Sequence, residues 1–122
     1  MTDAGDYLQF GQMLLDGGQL NGKRLLSPRT VELMSSVFAP DSLPGRARGR
    51  GFGLSVQVVS DPIAAGYRVS AGSFGWDGAF GTHFWVDPKE NLVAVLMTQI
   101  PQGALGPYWR QTRTAVYQTL LK

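Results

Sequence analysis

The sequence predicts an α+β fold in which helices pack on an antiparallel sheet of about four strands. Two segments with apolar residues at helical spacing open the 122-residue chain, strand-like runs occupy residues 52–99, and a further helical segment closes it. A chain of this length can bury a core as one domain. We therefore expect a single domain at 1–122, divided into a helix–hairpin–helix part at 1–38, antiparallel strands at 52–99 and a C-terminal helix at 107–122.

The first part of the chain carries the signals of two helices around a short hairpin. Thr2 or Asp3 is expected to cap the first helix, and Gly17-Gly18 to end it. Asn21-Gly22 favours a tight two-residue turn, and Ser27-Pro28 places a capping residue before a proline at the first helical position. We expect Tyr7, Phe10 and Leu14 on one stripe of the first helix, and Val31, Met34 and Phe38 as the buried stripe of the second.

Strand signals follow a Pro-, Gly- and Arg-rich loop at residues 39–51. In GFGLSVQVVS, apolar residues alternate at Leu54, Val56 and Val58, which is the period of a strand. Further strands are predicted at 67–74, 80–86 and 92–98, with turns at 75–78 and at Asp87-Pro88. The terminal helix begins at Pro107 and is expected to place Trp109, Val116 and Leu120 on one side.

The most distinctive segment is GSFGWDGAFGTHFWVDP, at residues 72–88. Glycine recurs there at every third position, which permits backbone conformations closed to other residues. Clustered glycines in strands also let a ligand or another backbone approach closely. The segment is therefore typical of a sheet edge that faces a substrate.

Composition excludes several classes of function. The net charge is only +2 despite a pI near 9.2, which is weak support for a nucleic-acid partner. The chain has no cysteine and one histidine, so we expect no disulfide, metal site or cofactor. It has neither a membrane-spanning run nor a signal-peptide pattern, so we expect no membrane partner. The location expected as written is cytoplasmic, with a periplasmic or secreted location open to a longer parent protein.

The usual motifs of a serine hydrolase are missing. None of the serines has a lysine three residues later, and no Tyr-x-Asn occurs. Gly-x-Ser-x-Gly is absent as well, because Ala71 stands where Ser73 would need the first glycine. The three lysines lie in predicted turns or at the terminus, where none is expected to be desolvated into a base. The chain therefore lacks a recognisable nucleophile and base.

His83 and Asp77 are the candidate catalytic residues. His83 is the only side chain expected to titrate near neutral pH, and it shares a predicted strand face with Gly81 and Trp85. The alternative for His83 is a packed strand histidine. Asp77 lies on the glycine-flanked turn, and its alternative is to accept hydrogen bonds from turn amides.

Two further groups have competing interpretations. Arg46, Arg48 and Arg50 form a small basic cluster, but without interleaved aromatic residues this favours a solvated loop. The aromatic residues Trp85, Trp109 and Tyr108 suit either a pocket lining or a core.

Several blocks, in this order, resemble the class C β-lactamase-like serine hydrolases, which include esterases and D-alanyl-D-alanine peptidases. The blocks are residues 4–34, GFGLSVQVV, GSFGWDGAFGTHFWVDP and NLVAVLMTQ. The resemblance implies that Trp76-Asp77-Gly78 is the third motif of the family, Lys/His/Trp-x-Gly, on the strand beside the active site. It also implies that the amide of Ala79 serves an oxyanion hole. The ligand-binding residues expected along this wall are Trp76, Asp77, Gly78, Ala79, Phe80 and Trp85.

The chain resembles only about the C-terminal third of that family, since the portion with Ser-x-x-Lys and Tyr-x-Asn is missing. Uncovered apolar strands favour association, so we expect a homo-oligomer, with exchange of elements an open possibility. Three functions stay open. The first is a hydrolase-like fragment without acyl-transfer activity of its own, and the second is an oligomeric module that binds a small molecule such as an antibiotic. The third is an enzyme that uses Asp77 and His83 across an oligomer interface.

Overall fold

The computed structural model describes residues 2–101, 104 and 106–120. Within these residues, helices flank runs of two or three consecutive strands, and the strands pair antiparallel, as an α+β fold requires. The elements are α1 (Ala4–Leu15), β1 (Gln19–Leu20), β2 (Lys23–Arg24), α2 (Pro28–Met34), β3 (Arg50–Phe52), β4 (Gln57–Val59), α3 (Pro62–Ala65), β5 (Phe74–Asp77), β6 (His83–Asp87), β7 (Leu92–Leu96) and α4 (Gly106–Gln118).

The sheet is an antiparallel meander in the order β3-β4-β5-β6-β7, and β1 and β2 form a separate hairpin. The α+β class is confirmed, but the sheet has five strands where about four were expected. The segment at 51–60 is two strands and not one, because the chain reverses between β3 and β4. Gly53 N–H donates to the Val56 carbonyl at 2.8 Å, and Ser55 has a φ of 73°. Leu54 therefore lies on the reversal, 47% exposed, and not in a strand.

The expected strand at 67–74 and the expected turn at 75–78 are both wrong, for related reasons. Asp61 caps the short helix α3, and Gly66 ends it at a φ of 68°, so the chain enters a loop before β5. Strand β5 then runs through the predicted turn as far as Asp77. The reversal lies at residues 78–82 instead, where Gly78 N–H donates to the Thr82 carbonyl at 2.8 Å. Gly81, at a φ of 97°, closes that turn in a conformation that favours glycine.

The helix ends follow local chemistry. The Asp3 carboxylate accepts from Asp6 N–H at 2.8 Å, and the Ser27 hydroxyl accepts from Thr30 N–H at 3.0 Å, so both predicted caps are confirmed. Helix α2 ends at Met34, so Phe38 lies beyond it and is exposed. The terminal helix is observed from Gly106 to Gln118, and positions 121–122 of the expected helix lie outside the described residues.

The apolar core lies on one face of the sheet, beneath α1 and α2. Phe84 and Val86 of β6 point into it, together with Leu14 of α1. The opposite face of β6 is covered by α4 through aromatic and polar side chains. The buried core residues are Met13, Leu14, Val31, Val56, Val58, Phe74, Phe84 and Val86.

Candidate functional site

The candidate site lies where β5 ends and β6 begins. Asp77 and His83 are directly opposite one another in the antiparallel ladder. Because side chains alternate across a strand, both lie on the face that α4 covers, while Trp76 lies on the other face opposite Phe84. The predicted common face of His83 and Trp85 is confirmed, since their rings are 5.2 Å apart.

Three polar side chains are linked in series across this part of the fold. The Asp77 carboxylate contacts Nδ1 of His83, and Nη2 of Arg113 lies 2.8 Å from His83 Nε2. Trp109 of α4 stacks on the imidazole, with ring centroids 5.0 Å apart and planes at 17°. His83 is only 3% exposed, so these partners replace the water around its ring.

The hydrogen bonds assign the hydrogen of His83. A guanidinium only donates, so Nε2 accepts from Arg113, and Nδ1 carries the hydrogen that it donates to Asp77. Both ring nitrogens are thus engaged, and neither has a lone pair free for a substrate proton. The arrangement suits a positioning role, in which His83 holds Asp77 and the strand that ends with it.

A cavity of about 90 Å³ opens beside the end of β5. Trp76 forms an exposed part of its wall, 49% accessible, and its ring meets Phe52 edge-on at 5.2 Å. Burial raises the pKa of the Tyr7 hydroxyl above its usual 10.0, so Tyr7 presents a neutral phenol to the cavity at physiological pH. The lining residues are Tyr7, Trp76, Asp77, Gly78, Thr82, His83, Phe84, Val95 and Met97.

The structure brings together only part of the predicted ligand wall. Trp76, Asp77 and Gly78 line the cavity. Ala79 and Phe80 lie in the following turn, both exposed. No hydrogen bond of the Ala79 N–H is found to the part of the chain that the structure describes. Trp85 is buried beneath α4 and borders a much smaller cavity of about 20 Å³.

Sequence reasoning missed two kinds of site residue. Tyr7 was expected only on one stripe of the first helix, yet it forms the α1 side of the cavity. Arg113 drew no attention, because one arginine in a polar helix carries no local signal. The strand pairing that brings Asp77 to His83, and the packing of α4 that adds Arg113, are both contacts between distant parts of the chain.

A second polar cluster anchors α4 at the far end of β6. Asp87 is fully buried, and its Oδ2 accepts from Tyr117 Oη at 2.6 Å and from Ser70 N–H at 2.9 Å. The Tyr117 oxygen in turn accepts from Trp85 Nε1 at 3.2 Å. Burial, reinforced by the hydrogen bond to Asp87, raises the pKa of the Tyr117 hydroxyl far above its usual 10.0. This cluster has a structural role, because it lies beneath the helix and does not border the larger cavity.

The described part of the chain shows neither a metal-binding cluster nor a membrane-crossing helix. No group of three or more His, Cys, Asp or Glu side chains there is placed to hold a metal ion. None of the helices described is both long enough and apolar enough to cross a bilayer.

Comparison with known sequences links the chain to one family. The family model described as beta-lactamase matches residues 1–118. Protein Rv1367c of Mycobacterium tuberculosis is 37% identical over 108 residues, which are 80% of this chain and 27% of that protein. Esterase EstB of Burkholderia gladioli is 38% identical over 73 residues, 59% of this chain and 19% of the esterase. The chain thus spans less than a third of the length of these curated relatives.

Comparison with solved structures shows a shared fold. EstCE1, described as a hydrolase with promiscuous acyltransferase activity, superposes with a TM-score of 0.81 at 30% identity, covering 94% of this chain and 29% of EstCE1. A penicillin-binding protein homolog from Caulobacter crescentus superposes with a TM-score of 0.77 at 20% identity, covering 94% of this chain and 31% of the homolog. At that identity the second likeness concerns the fold alone.

Proposed function

Because the chain belongs to the beta-lactamase family, we propose that it forms one wall of a serine-hydrolase acyl-transfer site and has no acyl-transfer activity on its own. The proposed wall is the end of β5 with the turn that follows it. In this role the chain contributes substrate contacts and an oxyanion donor. The nucleophile and its base would come from elsewhere.

One observation carries this proposal: Trp76-Asp77-Gly78 borders the cavity of about 90 Å³, and an unbonded backbone amide at Ala79 follows it. An oxyanion hole needs backbone N–H groups that no other acceptor occupies. In this proposal His83, through its contact with Asp77 at the end of β5, holds the strand from which the Ala79 amide would reach the oxyanion. The aromatic side chains of Trp76 and Tyr7 supply apolar surface for an acyl group.

The absence of activity is proposed from the missing nucleophile. Nucleophilic catalysis requires a serine with a base within hydrogen-bond reach, and the sequence has no Ser-x-x-Lys or Tyr-x-Asn. Ser73, the residue closest to a nucleophile motif, is 1% exposed, and its hydroxyl makes no hydrogen bond to the described residues. It has neither access to substrate nor a base.

The test is turnover of a chromogenic ester and a chromogenic cephalosporin by the purified chain. The expected rate equals that of the buffer, in wild type and in Asp77→Asn alike. Turnover that disappears in Asp77→Asn and in His83→Gln would replace this proposal with an enzyme built on those two residues. Turnover that survives both changes would point to a nucleophile outside the proposed wall.

A second candidate function is binding of a small ligand by a homo-oligomer. Trp76 at the end of β5 and Phe80 in the turn that follows are both exposed, and β7 is an edge strand of the sheet. Apolar side chains and strand edges of this kind favour association. Light scattering measures the oligomer, and a saturable thermal shift with an intact ester or β-lactam measures binding. The shift should be lost in Trp76→Ala and kept in Tyr108→Ala, an exposed aromatic outside the cavity.

A further inference from the structure

A cleft lined by three arginines lies between the loop after α3 and helix α4, away from the Trp76-Asp77-Gly78 wall. Its volume is about 180 Å³. Arg110, Arg113 and Thr114 lie at helical spacing and form the α4 side, and Arg68 forms the loop side. The lining residues, which we call the arginine cleft, are Gly66, Tyr67, Arg68, Arg110, Arg113 and Thr114.

No carboxylate of the described residues pairs with an arginine of this cleft. Within the described residues Arg29 pairs with Glu32, and the Asp77 carboxylate contacts neutral His83, so no arginine of the cleft makes a salt bridge there. Arg113 is the most constrained of them, because it is only 7% exposed and a buried charge is costly without compensation.

The contacts of Arg113 leave its charge available. Its guanidinium lies over the Tyr67 ring at 3.9 Å, Nη2 donates to neutral His83, and Nε is buried without a hydrogen bond to the described residues. Arg50 adds a second guanidinium 5.0 Å from the same ring. The Tyr67 ring and the neutral imidazole carry no charge of their own, and the Asp77 carboxylate contacts the opposite nitrogen of that imidazole and not the guanidinium. A concave site with several unpaired cations focuses positive potential.

We propose that the arginine cleft binds a phosphate group, either as the free ion or as a monoester. Arginine recognises phosphate through paired N–H donors, and a phosphate dianion matches a cluster of cations better than a single carboxylate does. The cavity is several times the volume of about 30 Å³ that one water occupies in the liquid, which suits a polyatomic anion. This binding is independent of whether the chain takes part in acyl transfer.

The test is calorimetric titration of the full chain with inorganic phosphate at low ionic strength and about pH 8, where phosphate carries nearly two charges. Arg68→Gln and Arg110→Gln remove exposed guanidiniums, so the fold is expected to tolerate both. Each is expected to weaken binding about tenfold, as loss of one charge-assisted hydrogen bond predicts. Arg46→Gln is the matched control, since it lowers the net charge equally on an exposed loop outside the cleft.

Phenyl phosphate and acetate complete the experiment. Saturable binding of phosphate that is lost in the cleft variants and kept in Arg46→Gln supports the proposal. Phenyl phosphate then distinguishes the two forms of the ligand: its binding indicates a phosphate monoester, and its exclusion indicates the free phosphate ion. Equal weakening by Arg46→Gln, acetate binding as tight as phosphate binding, or no saturable binding overturns the proposal.

Discussion

Replacing Tyr117 with phenylalanine removes one hydroxyl from beneath α4 and leaves the ring in place. That hydroxyl makes two hydrogen bonds, to Asp87 Oδ2 at 2.6 Å and from Trp85 Nε1 at 3.2 Å. A hydrogen bond to a charged group contributes about 1.5–3 kcal/mol, and a buried donor left without a partner costs about 1–3 kcal/mol. Asp87 keeps its bonds from Ser70 and Glu90. The expected loss in the free energy of unfolding is therefore about 3 kcal/mol.

The pH dependence gives this prediction a second, independent signature. Because the pKa of Tyr117 is raised in the folded state, the hydroxyl stays protonated there while the unfolded chain releases its proton above the usual 10.0. The contribution of Tyr117 to stability is complete below that pH and falls above it, by up to about 1.4 kcal/mol per pH unit. The difference in stability between wild type and Tyr117→Phe should therefore shrink as the pH rises above 10.0.

Urea unfolding of both proteins between about pH 8 and pH 11 measures both signatures through the free energy of unfolding. Tyr108→Phe, on the exposed side of the same helix, is the matched control and should stay within about 0.5 kcal/mol of wild type. A loss no larger than that of the control at pH 8 would refute the hydrogen-bond reasoning. A difference that stays constant up to pH 11 would refute the assignment of the raised pKa to Tyr117.

Three other changes test the packing and the caps by urea unfolding. Gly75→Ala places a methyl group against the Phe84 carbonyl and 2.8 Å from Trp85 Cα, so it should lower the free energy of unfolding by about 3 kcal/mol. Gly106→Ala, with open space around it, should be harmless, and equal effects of the two changes would contradict the close approach at Gly75. Leu14→Ala should cost about 3 kcal/mol and the exposed Leu8→Ala less than about 1 kcal/mol; a reversed order would show that α1 packs differently. Ser27→Ala should cost about 1 kcal/mol through the lost cap, and no loss would mean that α2 starts elsewhere.

The parts of the fold that were predictable depend on neighbouring residues. The Asp3 and Ser27 caps, the glycine end of α1 and the Asn21-Gly22 turn follow from chemistry within about four residues. The segment around Leu54 was misread because its alternation fits one strand as well as two short ones. The reversal depends on Ser55 at a positive φ, and the sequence does not indicate it because serine rarely adopts that conformation.

The glycine pattern singled out Asp77 and His83 as candidate site residues but gave no indication of their geometry. In the structure both residues line the cavity of about 90 Å³. Their contact depends on the turn falling at Gly78 and not at Gly75, which shifts the register by several residues. Arg113 reaches them from a helix thirty residues further along the chain, and no pattern within that helix indicates the partner.

Helix α4 is held on the sheet mainly by polar and aromatic contacts, whereas α1 packs on the apolar core. This difference affects which helix separates from the sheet first. The buried residue of α4 within the described range is Arg113, and the other inward contacts come from Trp109 and Tyr117. Polar contacts of this kind lose less free energy on meeting water than the apolar core beneath α1 does. We therefore expect α4 to detach as a unit before the sheet unfolds, so that its amide hydrogens exchange with solvent faster than those of β6. Each such opening would expose His83 and Asp87 to water while leaving the core intact. The α4 side of the candidate site would therefore change conformation more readily than the sheet does.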